Sequence, residues 1–361
     1  MPAPGALPAA APAAAEPVEG ARKREHRYDI DLLRVLGSVG VILCHSAARL
    51  LDAVGQSPSG GRPVYWTALV ADGLTRCAVP LFFAMAGWVV LVGAAPRDGR
   101  QVRDRLVRIL VPMAVWTAAY VVWDHIDNPG ARPMWRLGYE SLFGSIRPAF
   151  HLWYLYAYVP VILLLSIAAL AKAGKRPWGL GAAFVALAVA PGLIGDIGKM
   201  FHLHLPGFSW KFGMYQVAYA VGGAIVLALP STAGRGRRLA WLAFGGCAWA
   251  AVVAYEHYVH FPSPYAGVFV PFLACAVLMG LNRISIPERY RPLLTKLGGA
   301  AFGAYLVHLM FLQAIAPHIV SAHAGWLGAA GTITALAVAT AVLSFAASLL
   351  WERLRLRRWL G

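Results

Sequence analysis

The chain has 361 residues, of which 59% are hydrophobic and 13% are charged, and its mean hydropathy is +0.60. A soluble domain carries about twice that share of charged residues, so the composition excludes an ordinary soluble protein. The formal net charge of +16 would suit a nucleic-acid-binding protein. The cations flank apolar segments, however, so we expect them to contact anionic membrane lipids and expect no nucleic-acid partner.

Residues 1–27 precede the first apolar segment. Residues 1–20 are rich in proline and alanine and poor in large apolar side chains, so they cannot form a packed core. They also lack the basic start and long apolar stretch of a signal peptide. We expect a disordered cytoplasmic tail over 1–27, followed by one transmembrane domain over 28–361 that ends in a short basic tail.

Apolar segments of roughly 20 residues, the length that crosses about 30 Å of hydrocarbon, recur along the rest of the chain. Basic residues concentrate before the first segment and after every second one, which by the positive-inside rule places both termini in the cytoplasm. We therefore expect a multi-pass protein of a bacterial-type inner membrane. The predicted fold is all-α, a bundle of about ten transmembrane helices, at 29–51, 69–92, 105–124, 150–170, 178–195, 211–229, 239–255, 265–282, 299–318 and 326–350.

The first predicted span carries a row of polar side chains. On a helix that turns about 100° per residue, Asp31, Arg34, Ser38 and His45 lie within about 60° of one another, and Arg34 and His45 are about 16 Å apart along the axis. Ionisable groups inside a membrane cost several kcal/mol unless they are paired or face a cavity. Contact with the membrane surface would explain Asp31 and Arg34, but it would not explain His45, which lies deep in the outer half. We interpret the row as functional.

Later spans carry further polar groups, each with a structural alternative. Asp72 and Arg76 are four residues apart and can form an ion pair on one helix face, with Pro80 breaking the helix beside them. Arg105 and Arg108 are either anchors at the membrane surface or phosphate ligands, because a guanidinium binds phosphate through two parallel hydrogen bonds.

Two more groups lie in the fourth and ninth predicted spans. His151, Trp153 and Tyr154 are either part of an interfacial aromatic belt or a platform for a sugar ring, with His151 directed toward the outer water. Tyr305 and His308 share one helix face, where a structural role is the alternative to a functional one. The four cysteines are scattered without a CxxC pattern, so we expect neither a disulfide framework nor a metal site.

Taken in order, these motifs resemble the acyltransferase 3 family of membrane O-acyltransferases. In "IDLLRVLGSVGVILCHS", Arg34 and His45 have the family's spacing of an arginine, ten residues and a histidine. The stretches "VPLFFAMAGWVV", "RDRLVRILVP", "HLWYLYAYVP" and "FGAYLVH" are similar to later family motifs, and the resemblance runs from about residue 28 to residue 350. One departure is Ala86, which stands where the family has a serine and removes that hydroxyl from the chemistry.

The resemblance implies transfer of an acyl group, commonly acetyl, from cytoplasmic acyl-CoA to a hydroxyl of an extracytoplasmic or lipid-linked polysaccharide. Acyl-CoA would be the donor substrate, with no permanently bound cofactor. We expect His45 to act as general base, with Asp31 and Arg34 completing the catalytic group. An acyl-histidine intermediate remains an open variant of this mechanism.

The remaining candidates follow the same division between donor and acceptor. We expect Arg34, Arg105, Arg108 and Ser38 to bind the donor. We expect His151, Trp153 and Tyr154 to bind the acceptor. Tyr305 or His308 could donate a hydrogen bond to the developing oxyanion, and Arg76 is a further supporting candidate. The alternative function is an exporter of glycans or lipid-linked sugars that uses the same polar row. The sequence says nothing about the oligomeric state.

Overall fold

The computed structural model describes residues 26–361 except 129, 131 and 231–233. The expected disordered tail lies outside the described residues up to position 25. His26 and Arg27 lead directly into the first helix, where His26 Nε2 lies 2.6 Å from an Asp31 carboxylate oxygen.

In the described part of the chain every regular element is a helix, which confirms the all-α prediction. The α-helices are α1 (Tyr28–Ala53), α2 (Arg62–Thr75), α3 (Ala78–Trp88), α4 (Gly99–Asp127), α5 (Met134–Phe143), α6 (Trp153–Lys172), α7 (Trp178–Met200), α8 (Met214–Ala228), α9 (Arg235–Tyr258), α10 (Phe269–Leu281), α11 (Arg291–Ile319), α12 (Trp326–Arg353) and α13 (Arg357–Leu360).

Eight helical segments within the described residues are long and apolar enough to cross a membrane. All ten predicted spans coincide with helices, but α8 and α10, at the sixth and eighth predicted positions, have only 15 and 13 residues. At 1.5 Å per residue they reach about 20 Å, short of the roughly 30 Å of hydrocarbon. The two predicted spans were too long because residues 211–213 and 265–268 are not helical.

Helix α1 lies at the centre of the bundle, in contact with α2, α3, α11 and α12. Small groups allow α1 and α11 to approach closely, as is usual between membrane helices. A Cβ added at Gly298 would lie 2.9 Å from the Asp31 Cβ, so a larger residue there would push the helices apart. Further along, the buried Ser38 hydroxyl donates to the Ala301 carbonyl at 3.1 Å.

Helices α2 and α3 are separated by a break at Arg76 and Cys77. Pro80 accounts for it, because proline has no N–H to donate to the carbonyl four residues earlier, which belongs to Arg76. A helix break beside Pro80 was predicted.

A buried ionic cluster lies beside the break and joins α2 to α9. Arg76 donates to Asp72, which confirms the predicted ion pair, and also to Glu256 at 2.9 Å. All three side chains are buried. Glu256 also accepts from the backbone N–H of Ser263 at 3.1 Å, so the cluster holds the loop that follows α9.

We predict that Arg76→Gln destabilises the protein strongly. The substitution leaves the buried Asp72 and Glu256 carboxylates without their cation, a change that costs about 3–5 kcal/mol in proteins. The expected result is a clear fall in the thermal unfolding temperature of the purified protein in detergent.

The matched control for this prediction is Arg103→Gln. Arg103 pairs with Asp104 at 3.2 Å, but the two side chains are 71% and 57% exposed. Such surface pairs contribute about 0–1 kcal/mol, so this variant should unfold close to the unmodified protein. Equal unfolding temperatures for the two variants would contradict the structural role of the cluster.

Candidate active site

A cavity of about 430 Å³ lies against α1, with α3, α4, α6 and α11 around it. Both Arg34 and His45 line it, so the polar row on α1 opens into one space along its length. The eleven residue steps from Arg34 to His45 along the helix correspond to about 16 Å. We call the two regions of the cavity the arginine end, lined by Arg34, Arg105, Arg108 and Arg357, and the histidine end, lined by His45 and His151.

The arginine end offers hydrogen-bond donors that the protein itself does not use. Arg105 donates from Nη2 to the Ala94 carbonyl at 2.7 Å, whereas its Nη1 is buried and has no partner among the described residues. A buried, unpaired guanidinium nitrogen is costly unless an anion occupies the site. The arrangement suits phosphate oxygens, which accept such hydrogen bonds strongly.

Helix α4 presents two of these cations on one face. Asp98 caps the start of α4, its Oδ1 accepting from the Gln101 N–H at 2.9 Å. Because α4 is helical from this cap onward, Arg105 and Arg108 are three residues apart and therefore adjacent on its surface. Arg108 donates from Nε to the carbonyl of Asp104 at 3.1 Å.

Arg34 is held in place by the first turn of its own helix. Its Nη1 donates to Asp31 Oδ1 at 3.2 Å, and Asp31 is 3% exposed, while the Arg34 side chain remains 40% exposed. Asp31 was predicted to belong to the catalytic group, but it does not line the cavity. Its contact with Arg34 indicates that it positions this arginine. Ser38 also lies away from the cavity and uses its hydroxyl to bind α11, which does not support its predicted part in donor binding.

The histidine end brings together three imidazoles from separate segments. The rings of His45 and His308 are stacked with centroids 5.3 Å apart, and His151 contacts His308 edge-on at 5.1 Å. Phe150 packs edge-on against His45 at 5.3 Å. The described residues give the His45 ring these aromatic contacts and no hydrogen bond, so both of its nitrogens remain available to a molecule in the cavity.

The two partner histidines have one nitrogen bonded and one unpaired. His308 Nδ1 is bonded to the Tyr305 carbonyl, and His151 Nε2 lies 3.3 Å from the Leu306 carbonyl. Since a carbonyl only accepts, both bonded nitrogens carry the proton when the rings are neutral. The buried His308 Nε2 and His151 Nδ1 have no partner among the described residues and are therefore free acceptors.

This geometry does not support the expected oxyanion donors. The Tyr305 hydroxyl donates to the His151 carbonyl at 2.5 Å, so its proton is already used. The free nitrogen of neutral His308 accepts hydrogen bonds and does not donate them. His151 is 2% exposed and so is not directed toward outer water as expected. Arg76, bound to Asp72 and Glu256, does not line the cavity.

Aromatic rings line the cavity beside the histidine end. Trp153 and Tyr154, both predicted as acceptor ligands, are among its lining residues. Trp153 stacks on Tyr265 with centroids 5.8 Å apart. Tyr265 belongs to the loop after α9, and the Tyr219 hydroxyl donates to its carbonyl at 2.6 Å. The Trp153 and Tyr265 rings are therefore stacked on each other in the wall of the cavity that His151 also lines.

Sequence reasoning missed four residues around the site. Tyr265 was assigned to the start of a predicted span, and Arg357 was counted as one of several basic residues of the tail. Phe150 carried no signal of its own. Glu256 could have been found, because it is an acidic residue directly after an apolar segment, where an unpaired charge is costly.

One comparison with known proteins gave a match. A family model described as an acyltransferase domain, Acyl_transf_3, matches residues 27–349, which is nearly the whole chain. No curated protein and no solved structure matches. The matched range contains every residue of the arginine and histidine ends except Arg357. Among the described residues, no three His, Cys, Asp or Glu side chains are grouped so that they could hold a metal ion.

Proposed function

The chain belongs to the acyltransferase 3 family, and from that premise we propose that it moves an acyl group from cytoplasmic acyl-CoA to a hydroxyl of an extracytoplasmic or lipid-linked polysaccharide. In this proposal it is an O-acyltransferase of a bacterial-type inner membrane, with both termini in the cytoplasm. One observation carries the proposal, namely that a single cavity joins a group of guanidiniums to an imidazole about 16 Å away along α1.

The proposed donor matches the two ends of this cavity. Acyl-CoA carries phosphates at one end and a thioester at the other, joined by the long pantetheine arm. The phosphates would bind at the arginine end, where Arg105 has an unpaired donor. The arm would lie along the wall formed by α3, where Phe82 and Ala86 contribute apolar surface, and the thioester would reach His45.

The proposed reaction is direct transfer with His45 as general base. Imidazole exchanges protons near neutral pH, so a neutral His45 can take the proton of the acceptor hydroxyl. The hydroxyl oxygen forms a bond to the thioester carbonyl carbon, and the carbon–sulfur bond then breaks. The departing thiolate takes the proton from the His45 imidazolium, so the histidine is regenerated. The unpaired Nδ1 of His151, which lines the cavity, can accept a hydrogen bond from the acceptor as it is positioned.

The proposed acceptor site is the aromatic platform beside the histidine end. The rings of Trp153 and Tyr265 stack on each other with an interplanar angle of 29°, so a sugar would contact an outer face of this pair. Aromatic faces pack well against the C–H face of a sugar ring, which would bring a sugar hydroxyl toward His45. The acceptor would therefore enter from the opposite side of the membrane to the donor.

We predict that His45→Ala abolishes acyl transfer in a protein that still folds and inserts. General-base catalysis contributes about 10²–10⁴-fold in rate, so transfer should fall at least about a hundredfold. Mass spectrometry of the acyl groups on surface glycans, from cells that produce either protein, measures the effect.

The control is His125→Ala, which removes an exposed histidine from the last turn of α4. This variant should transfer acyl groups normally. Normal transfer by a well-produced His45→Ala protein would contradict the mechanism. A protein that binds no acyl-CoA would instead favour the exporter.

A second prediction assigns Arg34 to the donor. Arg34→Lys keeps the charge but loses the planar fork that binds phosphate through two hydrogen bonds. We expect the KM for acyl-CoA to rise several-fold, while the KM for the acceptor stays unchanged. Steady-state kinetics with each substrate varied in turn would check this, and a change confined to the acceptor KM would reverse the assignment of the two ends.

A third prediction concerns the sides of the membrane. In proteoliposomes of defined orientation, acyl-CoA should be consumed only from the side of the loop that precedes α4, residues 94–98. The acceptor should be modified only on the side of the segment that joins α4 to α6. Sealed vesicles loaded with one substrate and supplied externally with the other test both statements. Modification when both substrates are confined to the donor side would contradict transfer across the membrane.

A further inference from the structure

The chain after α12 folds back onto the bundle at the arginine end of the cavity. The indole N–H of Trp116 donates to the Leu360 carbonyl at 3.1 Å, and that of Trp351 donates to the Gly361 backbone oxygen at 3.1 Å. The two indole rings contact each other at 5.7 Å, and the Leu360 side chain packs against the hydrophobic core. Residues 354–361 are thus docked by specific hydrogen bonds and apolar contacts.

This docking brings Arg357 into the wall of the cavity. Its Nη2 donates to the Gly299 carbonyl at 3.2 Å, and its Nη1 donates to Glu352 Oε1 at 2.9 Å. Gly299 also lines the cavity, next to Gly298, which packs against the first turn of α1. Arg357 therefore lies at the level of Arg34.

The guanidinium of Arg357 retains donors for a ligand. A guanidinium has five N–H donors, and the described contacts of Arg357 use two of them. Its side chain is 56% exposed, so the remaining donors are accessible. The Glu352 carboxylate, itself 41% exposed, offsets part of the charge, while the bond to the Gly299 carbonyl holds the side chain at the cavity wall.

We propose that Arg357, which the docked segment 354–361 places in the cavity wall, binds a phosphate group of acyl-CoA. The inference rests on the proposed function. It extends the site beyond the region that the family model matches, which ends at residue 349. Acyl-CoA carries a diphosphate and a 3′-phosphate, which need several cations. Arg34 shares its charge with Asp31, so an additional guanidinium at this end has a clear use.

The test measures binding of radiolabelled acetyl-CoA to the purified full-length protein in nanodiscs, with competition by unlabelled S-acetylpantetheine, which has no phosphates. Arg357→Gln should weaken acetyl-CoA binding about tenfold, the size expected for a lost hydrogen bond to a charged group. The affinity of S-acetylpantetheine should be the same in both proteins. Arg358→Gln is the matched control, because Arg358 lies on the same short helix, outside the cavity, with its guanidinium over the Trp359 ring.

Glu352→Gln separates phosphate binding from a merely structural role. Removing this carboxylate leaves the charge of Arg357 without its partner. Acetyl-CoA should therefore bind to Glu352→Gln with the same affinity as to the unmodified protein, or two- to threefold more tightly. If the ion pair served only to dock the segment, Glu352→Gln would weaken binding as Arg357→Gln does. That result would overturn the inference.

The other outcomes distinguish this inference from the proposed function. Equal acetyl-CoA binding by Arg357→Gln and the unmodified protein would overturn the role of Arg357 and leave the proposed function standing. Equal losses for acetyl-CoA and S-acetylpantetheine would also overturn it, because a phosphate ligand affects only the first. Failure of the unmodified protein to bind acetyl-CoA would overturn the proposed function, and the inference with it.

Discussion

The cost of placing charge in a membrane-spanning bundle governs how polar side chains are arranged in this protein. The buried carboxylates Asp31, Asp72 and Glu256 each accept a hydrogen bond from a cation within the fold. Among the cationic and imidazole side chains of the described residues, the buried nitrogens without a partner are Arg105 Nη1, His151 Nδ1 and His308 Nε2, and these lie along or beside one cavity. The same constraint thus separates two kinds of polar residue. Arg76 and its carboxylates join helices, whereas the three unpaired nitrogens mark where a polar molecule can bind.

Helix register links these two kinds of residue on α1. Ser38 bonds to Ala301 on α11, and His45 stacks on His308. Ser38 and His45 are seven residues apart on α1, and Ala301 and His308 are seven residues apart on α11, so the two contacts lie two helical turns apart on both helices. The helices therefore run parallel in a heptad register, and the structural bond of Ser38 sets the alignment that brings the two imidazoles together. Ser38, which was predicted to bind the donor, instead forms a bond between helices that aligns His45 of the proposed site with His308.

The sequence predicts contacts within a helix far better than contacts between helices. Arg34 and His45 share a face because of the 3.6-residue period alone, and the Asp72–Arg76 pair follows from the same rule. Glu256 joins that pair from 180 residues away, which depends on how α9 packs against α2. Hydropathy also failed at residues 265–268, because an apolar loop and the start of an apolar helix have the same composition. Tyr265 was missed for this reason.

Besides the acceptor hydroxyl, the thiol of Cys44 could attack a thioester in the cavity. The surroundings of this thiol explain why the proposed reaction does not use it. Cys44 lines the cavity directly beside His45. Its thiol donates to Asp72 Oδ1 at 3.4 Å, and a carboxylate acceptor favours the protonated thiol over the nucleophilic thiolate. The Thr75 hydroxyl also lies in the cavity lining, but it donates to the Asp72 carbonyl at 2.7 Å, and Ala86 carries no hydroxyl. These surroundings disfavour acylation of a cysteine, serine or threonine, which agrees with the proposed attack by a hydroxyl of the acceptor.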